Sequence, residues 1–461
     1  MKRLLACCLI VFWVGCGSQS SDDKETAQSN SGEGELKIVQ QTESDSAKDS
    51  GDSFADSLIH LTARANELES QEQFNQAAGV WSEIVTRLQS EYGPESWQPA
   101  NAVLACETAK IQAGFSSAQL EALRNVADLQ KQMQAAAGQN EFSIAARLCE
   151  QSLRASIELF GVDSPVTSKQ RLQLAKLQQQ LGQDNEAVFN YEKAASILSA
   201  RFATVHPELC LIHDNLGEIY LNASNFPGAI SHLSSATKMA SSIWGDESTE
   251  YAKRANQLGV AYHQGGQPEV ALQVLRAAEV IRRHKLGPND PQVGHSLLNT
   301  GTVLLDLRRY DEAIEQLVRA TEIFSSSQTR LPISEAVAEK LATAYMLASK
   351  PELAEPVLAG MLTRAKQRSP QSPIEMADLQ YRYAIALGRQ GKYDLAEPVL
   401  LEAMATQEAN LGPTHSKTAN SIRAYALLLK QTKRPELADQ VLSRIRVAQN
   451  PNNNSFPVRI P

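Results

Sequence analysis

Apolar side chains in this chain return every three or four residues, the spacing of one stripe along a helix, and they do not alternate as strand residues do. Between 298 and 324, Leu298, Leu304 and Leu305 mark one helix, and Ala313, Leu317, Ala320 and Phe324 mark the next. The pair then recurs. An alanine three residues after an aromatic, proline or aspartate stands at 145, 187, 229, 271, 313, 354, 396 and 438, at intervals of 42 with a single 41.

Further columns keep step with this anchor. Four residues after it come Trp81, Cys149, Tyr191, Leu233, Leu275, Leu317, Leu358, Leu400 and Leu442. Seven after it come Ala194, Ala236, Ala278, Ala320 and Ala403. Twelve before it, in the first helix of each pair, stand Ala175, Gly217, Gly259, Gly301, Ala342, Ala384 and Ala426. The pattern predicts small residues facing small residues where two antiparallel helices approach, with large side chains filling the space between units. Such a unit cannot bury its apolar face alone, so the units must stack. The expected fold is all-α, a right-handed α-solenoid (superhelix) of antiparallel helix pairs, about nine in number.

A small residue in the first helix, an aromatic or leucine three on, then Ala, a large residue and Ala in the second resemble the tetratricopeptide repeat. Gly217, Tyr220, Ala229, Leu233 and Ala236 carry it, and so do Gly259, Tyr262, Ala271, Leu275 and Ala278. The common unit of that family has about 34 residues. Here the period is 42, with connectors such as Leu286-Gly287-Pro288-Asn289-Asp290-Pro291 and Leu411-Gly412-Pro413-Thr414-His415. Units of this length with a Leu-Gly-x-x-His/Asp-Pro connector look like those of kinesin light chains and their bacterial relatives. Glycine ends one helix, proline blocks its continuation, and a polar side chain caps the next. HEAT and armadillo units and propeller blades share the period. The first two lack the paired small-residue columns, and the last need strands.

The array is expected to be regular over 139–448. Over 54–138 the helical repeats are irregular. Ala77 and Ala118 fit the anchor, but the step from Ala118 to Ala145 falls well short of a full period, and 117–137 reads as one long helix where two belong. Residues 17–53 are rich in Ser, Asp, Glu, Gln and Gly and are expected to form a disordered tether, and 449–461 a flexible tail.

Residues 1–16 read as an export signal, with Lys2 and Arg3 ahead of an apolar core from Leu4 to Val14 that is too short to span a bilayer. Val14-Gly15-Cys16-Gly17-Ser18 resembles the lipobox of bacterial lipoproteins, although Trp13 stands where that family usually has an aliphatic residue. The resemblance implies lipidation at Cys16, cleavage before it, and attachment to the bacterial cell envelope, with the outer membrane or periplasmic face favoured. The alternative is a cytoplasmic adaptor or regulator of the kinesin-light-chain type without lipid.

Composition excludes more than it identifies. The formal net charge is −8, so the chain offers no electrostatic footprint for nucleic acid. No zinc-binding histidine pattern, phosphate-cradling glycine loop or nucleophile motif occurs. His206 and His415 sit in connectors, where a turn role suffices. Cys106, Cys149 and Cys210 have no metal-ligand spacing and read as small buried hydrophobes, with a disulfide left open. In 97–140 the ionisable and nucleophilic groups, Cys106, Glu107, Lys110, Glu121 and Asp128 among them, are scattered. No enzyme activity, cofactor or metal is expected.

In the resembled family, partners contact the first helix of each pair on the concave face. The column two positions ahead of the small residue in that helix holds Gln173, Asn215, Gln257, Asn299, Lys340 and Arg382, and Lys253, Asn256 and Arg423 share the stripe of their own helices. These nine residues are the candidate groove for a protein or peptide partner, weighed against an ordinary solvated face. Asn215 and Asn299 match the asparagine of peptide-binding members. The stripe turns basic at Lys340, Arg382 and Arg423, which suits an acidic segment or a free carboxylate.

Overall fold

A computed structural model describes residues 51–93, 96–202, 205–326, 331–367 and 372–449. Cys16 and the expected signal peptide, the expected tether up to 50, and the tail from 450 lie outside the described residues. Nineteen helices and no strand make up the described residues, in two compact units, Met1–Ile243 and Trp244–Pro461.

The first unit contains α1 (Gly51–Ser70), α2 (Phe74–Tyr92), α3 (Ala100–Gln112), α4 (Ser117–Gly138) and α5 (Phe142–Phe160). It continues through α6 (Pro165–Gln180), α7 (Asp184–Arg201), α8 (Pro207–Asn222) and α9 (Phe226–Trp244). The second unit opens with α10 (Thr249–Gln264), α11 (Pro268–Leu286), α12 (Pro291–Asp306), α13 (Tyr310–Ser326) and α14 (Leu331–Leu347). It closes with α15 (Pro351–Gln367), α16 (Pro373–Arg389), α17 (Tyr393–Leu411), α18 (Ser416–Gln431) and α19 (Pro435–Gln449). Each unit is a stack of antiparallel pairs, a helix A followed by the helix B that carries the anchor. The first helix begins at Gly51, inside the stretch expected to be tether.

One turn closes all nine pairs. The residue five before the anchor is left-handed each time: Glu72, Asn140, Gly182, Ser224, Gly266, Arg308, Ser349, Gly391 and Lys433. The next residue returns its N–H to the carbonyl five positions back, as Arg309 does to Leu304 at 2.9 Å. This is the helix stop that glycine usually serves, yet only three of the nine are glycine. Between pairs, a polar side chain caps the incoming helix A: Ser164, His206, Ser248, Asp290 and His415 accept from backbone N–H groups of α6, α8, α10, α12 and α18.

The anchor alanines, Ala77 and the eight of the regular series, are fully buried. The small column of helix A does not face another small residue, as the pattern led one to expect. A Cβ on Gly217, Gly259 or Gly301 would come within 2.5, 2.6 and 2.7 Å of Leu233, Leu275 and Leu317, the large residues four beyond the anchor. The large knob of helix B enters a hole in its own helix A, and glycine is what makes that hole deep enough.

Successive pairs are joined by apolar contact and by buried polar bonds, three of which recur at one place in the repeat. Gln170 Nε2 donates to Ser156 Oγ (2.7 Å), Arg282 Nη1 to Ser296 Oγ (2.8 Å), and Ser421 Oγ to Gln407 Oε1 (2.6 Å). Each joins the end of a helix B to the helix A that follows it, at the same sequence separation. Burial lowers the Arg282 pKa to about 10.

Only α3 departs from the scheme. It packs on α2 as a helix A should and touches α6, but the next helix, α4, pairs with α5 instead. Ser116 and Gln119 form a reciprocal cap that starts α4 as a single 22-residue helix. Ala118, which fits the anchor pattern in sequence, is exposed on its first turn and anchors nothing. The true counterpart of the small column there is Met133, buried against Ala145 and Cys149.

Candidate functional site

In the second unit, helix A touches the next helix A along α10–α12, α12–α14 and α16–α18. A ladder of bonds also runs between successive A helices, α14 and α16 included. Asn299 Nδ2 donates to Asn256 Oδ1 (3.3 Å), His263 Nε2 lies 2.6 Å from Asp306 Oδ2, and Arg382 Nη1 donates to Glu339 Oε1 (2.6 Å). The A helices therefore lie side by side and present one composite face.

The predicted residues divide on that face. Lys253, Lys340, Arg382 and Arg423 are exposed, and Gln257 and Asn299 are half-buried. Asn256 is buried and accepts from both Ser296 and Asn299, so it joins two repeats and is not a contact residue. Arg382 is held by Glu339, and Arg423 reaches only its neighbour Asn420 (3.1 Å). Lys340 has no ion pair among the described residues.

Sequence reasoning overlooked the apolar companions of these cations. One or two turns along the same helix faces stand Leu347 on α14, Ile385 on α16, and Leu427 on α18. Leu347 is 48% exposed and Leu427 60%. An exposed leucine is ordinary singly, but here two occur beside three cations. A signal was available in the sequence. Ile385 and Leu427 directly follow the small residue of helix A, where earlier repeats hold Lys176, Glu218, Val260 and Thr302.

A second ladder runs along the A–B turns. Lys350, Lys392 and Arg434, all four residues before an anchor, pair with Asp311 (2.7 Å), Glu355 (2.5 Å) and Glu397 (2.6 Å) of the preceding repeat. Arg434 holds the Glu397 carboxyl below its usual range. These bridges are substantially exposed, so solvent screens them and each adds little to stability.

In the first unit Gln173 and Asn215 are half-buried on α6 and α8. Beside them α3 is tied to the α7–α8 connector by Arg201 to Glu107 (2.6 Å) and by His206 to Asn101 (3.2 Å). The displaced helix leaves a cleft of about 410 Å³ lined by Glu107, Ile111, Phe160, Val162, Asp163 and Arg201. Two histidines from facing helices meet nearby: His213 of α8 and His232 of α9, with Nδ1 atoms 2.9 Å apart. Cys106, Cys149 and Cys210 are buried free thiols, each directed at a backbone carbonyl. Burial raises the Cys149 pKa to about 12, which removes it as a nucleophile. Among the described residues no three His, Cys, Asp or Glu side chains gather as metal ligands, and no helix is long and apolar enough to cross a membrane.

Residues 375–445 match one tetratricopeptide-repeat family model and residues 171–197 another, so the chain carries tetratricopeptide repeats. A curated relative, a clustered mitochondria protein homolog of Mycosarcoma maydis, is 27% identical over 152 residues, covering 33% of this chain and 11% of that protein. The chain thus spans only a small part of that relative's length. Among solved structures, kinesin-light-chain TPR-like repeats of Podosopora anserina are 19% identical, covering 43% of this chain and 94% of theirs at a TM-score of 0.39. A signal-transduction ATPase of Pyrococcus horikoshii with a tetratricopeptide-repeat sensor is 16% identical, covering 81% and 52% at a TM-score of 0.47.

Proposed function

We propose that the protein is a non-enzymatic binding scaffold whose helix A face in the second unit receives an extended segment of a partner protein. The observation that carries this is the conjunction on α14, α16 and α18 of exposed cations at Lys340, Arg382 and Arg423 with exposed leucines at Leu347 and Leu427. A solvated helix face has no use for the leucines, and a buried one would not keep the cations. The segment that fits carries carboxylates beside apolar side chains. Binding to a preformed face avoids much of the ordering cost of association.

The test is to recover a partner with the chain lacking residues 1–50, then to measure its affinity for a Lys340→Glu, Arg382→Glu double variant across salt. Charge reversal should weaken binding about tenfold or more at about 0.1 M salt and much less at about 1 M, where the Debye length is about 3 Å. Unchanged affinity and salt dependence would place the binding surface elsewhere.

The lipobox-like run at Cys16 supports an envelope location, with the array tethered to a membrane by acyl chains that contribute about 0.8 kcal/mol per buried CH₂. Cys16→Ser should abolish lipid labelling and leave the precursor uncut. Protease protection of the array in intact cells, with equal labelling of both proteins, would favour the unlipidated cytoplasmic adaptor.

A further inference from the structure

Helix α8 begins at one histidine and carries another, and both make bonds that a proton would break. His206 is fully buried and stacks on Phe202, with ring centroids 4.6 Å apart. Its Nδ1 accepts the backbone N–H of Glu208 at 3.2 Å, capping α8. Its Nε2 lies 3.2 Å from Asn101 Oδ1 on α3, an oxygen that only accepts. Together these bonds require the neutral ring with its hydrogen on Nε2. A second proton would sit on Nδ1, facing an N–H donor at the positive end of the helix dipole.

His213 and His232 are constrained in another way. Their Nδ1 atoms are 2.9 Å apart, their ring centroids 5.1 Å, and Tyr220 stacks on His232. At this nitrogen separation, a metal ion about 2.0–2.1 Å from both nitrogens would draw the centroids in to about 4.5 Å. With centroids at 5.1 Å the nitrogens meet nearly head on, which leaves room for one hydrogen and none for a metal. The pair holds together while one ring donates and the other accepts. Two imidazolium rings would set N–H against N–H.

We propose that α8 is a pH-sensitive latch: mild acid opens the α8–α9 pair and releases α3 from the connector that His206 caps. The charged groups around His206 are the Glu107–Arg201 pair from α3 and α7, and Glu208, which faces Lys169 and Lys176 of α6. Around the histidine pair, Glu192 of α7 favours a proton on His232. Burial outweighs it. All three histidines are pushed below the ordinary range, chiefly by burial, and His206 to about 4. At these three histidines the folded state therefore binds fewer protons than the unfolded one, while burial raises the Glu208 carboxyl and works in the opposite sense. Their stabilisation is complete above about pH 6.5 and declines as pH falls toward about 4.

Hydrogen exchange of the full chain at pH 7.5 and pH 5, corrected for intrinsic rates, tests this. His206 alone should raise opening of α8 about 30-fold at pH 5, with α9 and α3 following. Helix α16, which carries no histidine, serves as the reference and should change little. His206→Asn keeps a capping oxygen, and combined with His213→Gln and His232→Gln it should flatten the response. Unchanged protection of α8 in the wild type, or a triple variant that responds like the wild type, would overturn the latch. Should the triple variant fail to fold, nitrogen resonances of the wild-type histidines decide: His206 titrating near its ordinary value overturns the proposal, and His206 still neutral at pH 5 supports it.

Discussion

Helix α3 and the nine other A helices start from the same kind of sequence and end in different surroundings. Each of the nine packs on its own helix B, which buries one side of it and leaves the other free to join the A-helix face of its unit. No helix B follows α3. It is fastened at its flank, through Asn101 and Glu107, to a connector about 100 residues downstream. Burial of a helix in this array therefore depends on where the next anchor alanine falls, and less on the helix's own apolar stripe. Displacing that anchor converts a structural helix into a peripheral one, resting on bonds that charge and pH control.

The largest expected effect contrasts two alanines that look alike in sequence. Ala278→Glu places a carboxylate among Ala252, Ala255 and Tyr251 and should cost about 3 kcal/mol or more. Ala118→Glu, on an exposed first turn, should stay within about 0.5 kcal/mol. Chemical denaturation measures both, and hydrogen exchange should confine the first loss to repeats adjoining α10–α11. Equal effects would remove the distinction between a packed column residue and its exposed imitation.

The depth of the hole comes next. Gly259→Ala forces a Cβ to within 2.6 Å of Leu275 and should cost about 1–3 kcal/mol, while Ala384, in the same column, is already accommodated beside Leu400. A neutral Gly259→Ala would mean that glycine and alanine repeats pack interchangeably. Smaller still, Arg308→Gly or Ser349→Gly should stabilise the protein by about 0.5–1 kcal/mol, because each relieves a side chain held in the left-handed region. Thermal melting of either variant checks this. Smallest is Glu107→Gln. The Glu107–Arg201 pair is exposed, so its loss should cost well under about 1 kcal/mol, read as faster exchange confined to α3.

The fold was largely legible because the repeat amplifies its own signal: one alanine is ambiguous, but eight at a nearly constant interval are not. Two features escaped. The left-handed turn residue is usually Glu, Asn, Ser, Arg or Lys, so composition does not reveal it, and only the shared bond pattern does. The His213–His232 contact joins facing helices through residues whose spacing matches none of the repeating columns. In the candidate groove, residue type located the face but not the exposure. Asn256 and Asn299 belong to the same polar stripe, and only packing shows that Asn256 is a joint between repeats.

The three buried polar joints bear on the ancestry of such a chain. Repeats of equal length invite duplication and loss by unequal recombination, since removal of one whole period preserves helical phase. Excising α12 and α13 would bring Arg282 against Val337, which offers its guanidinium nothing in place of Ser296. The buried bonds thus give particular repeats a fixed neighbour. They make the array's order heritable, in segments of chain whose apolar surfaces alone would allow them to be shuffled.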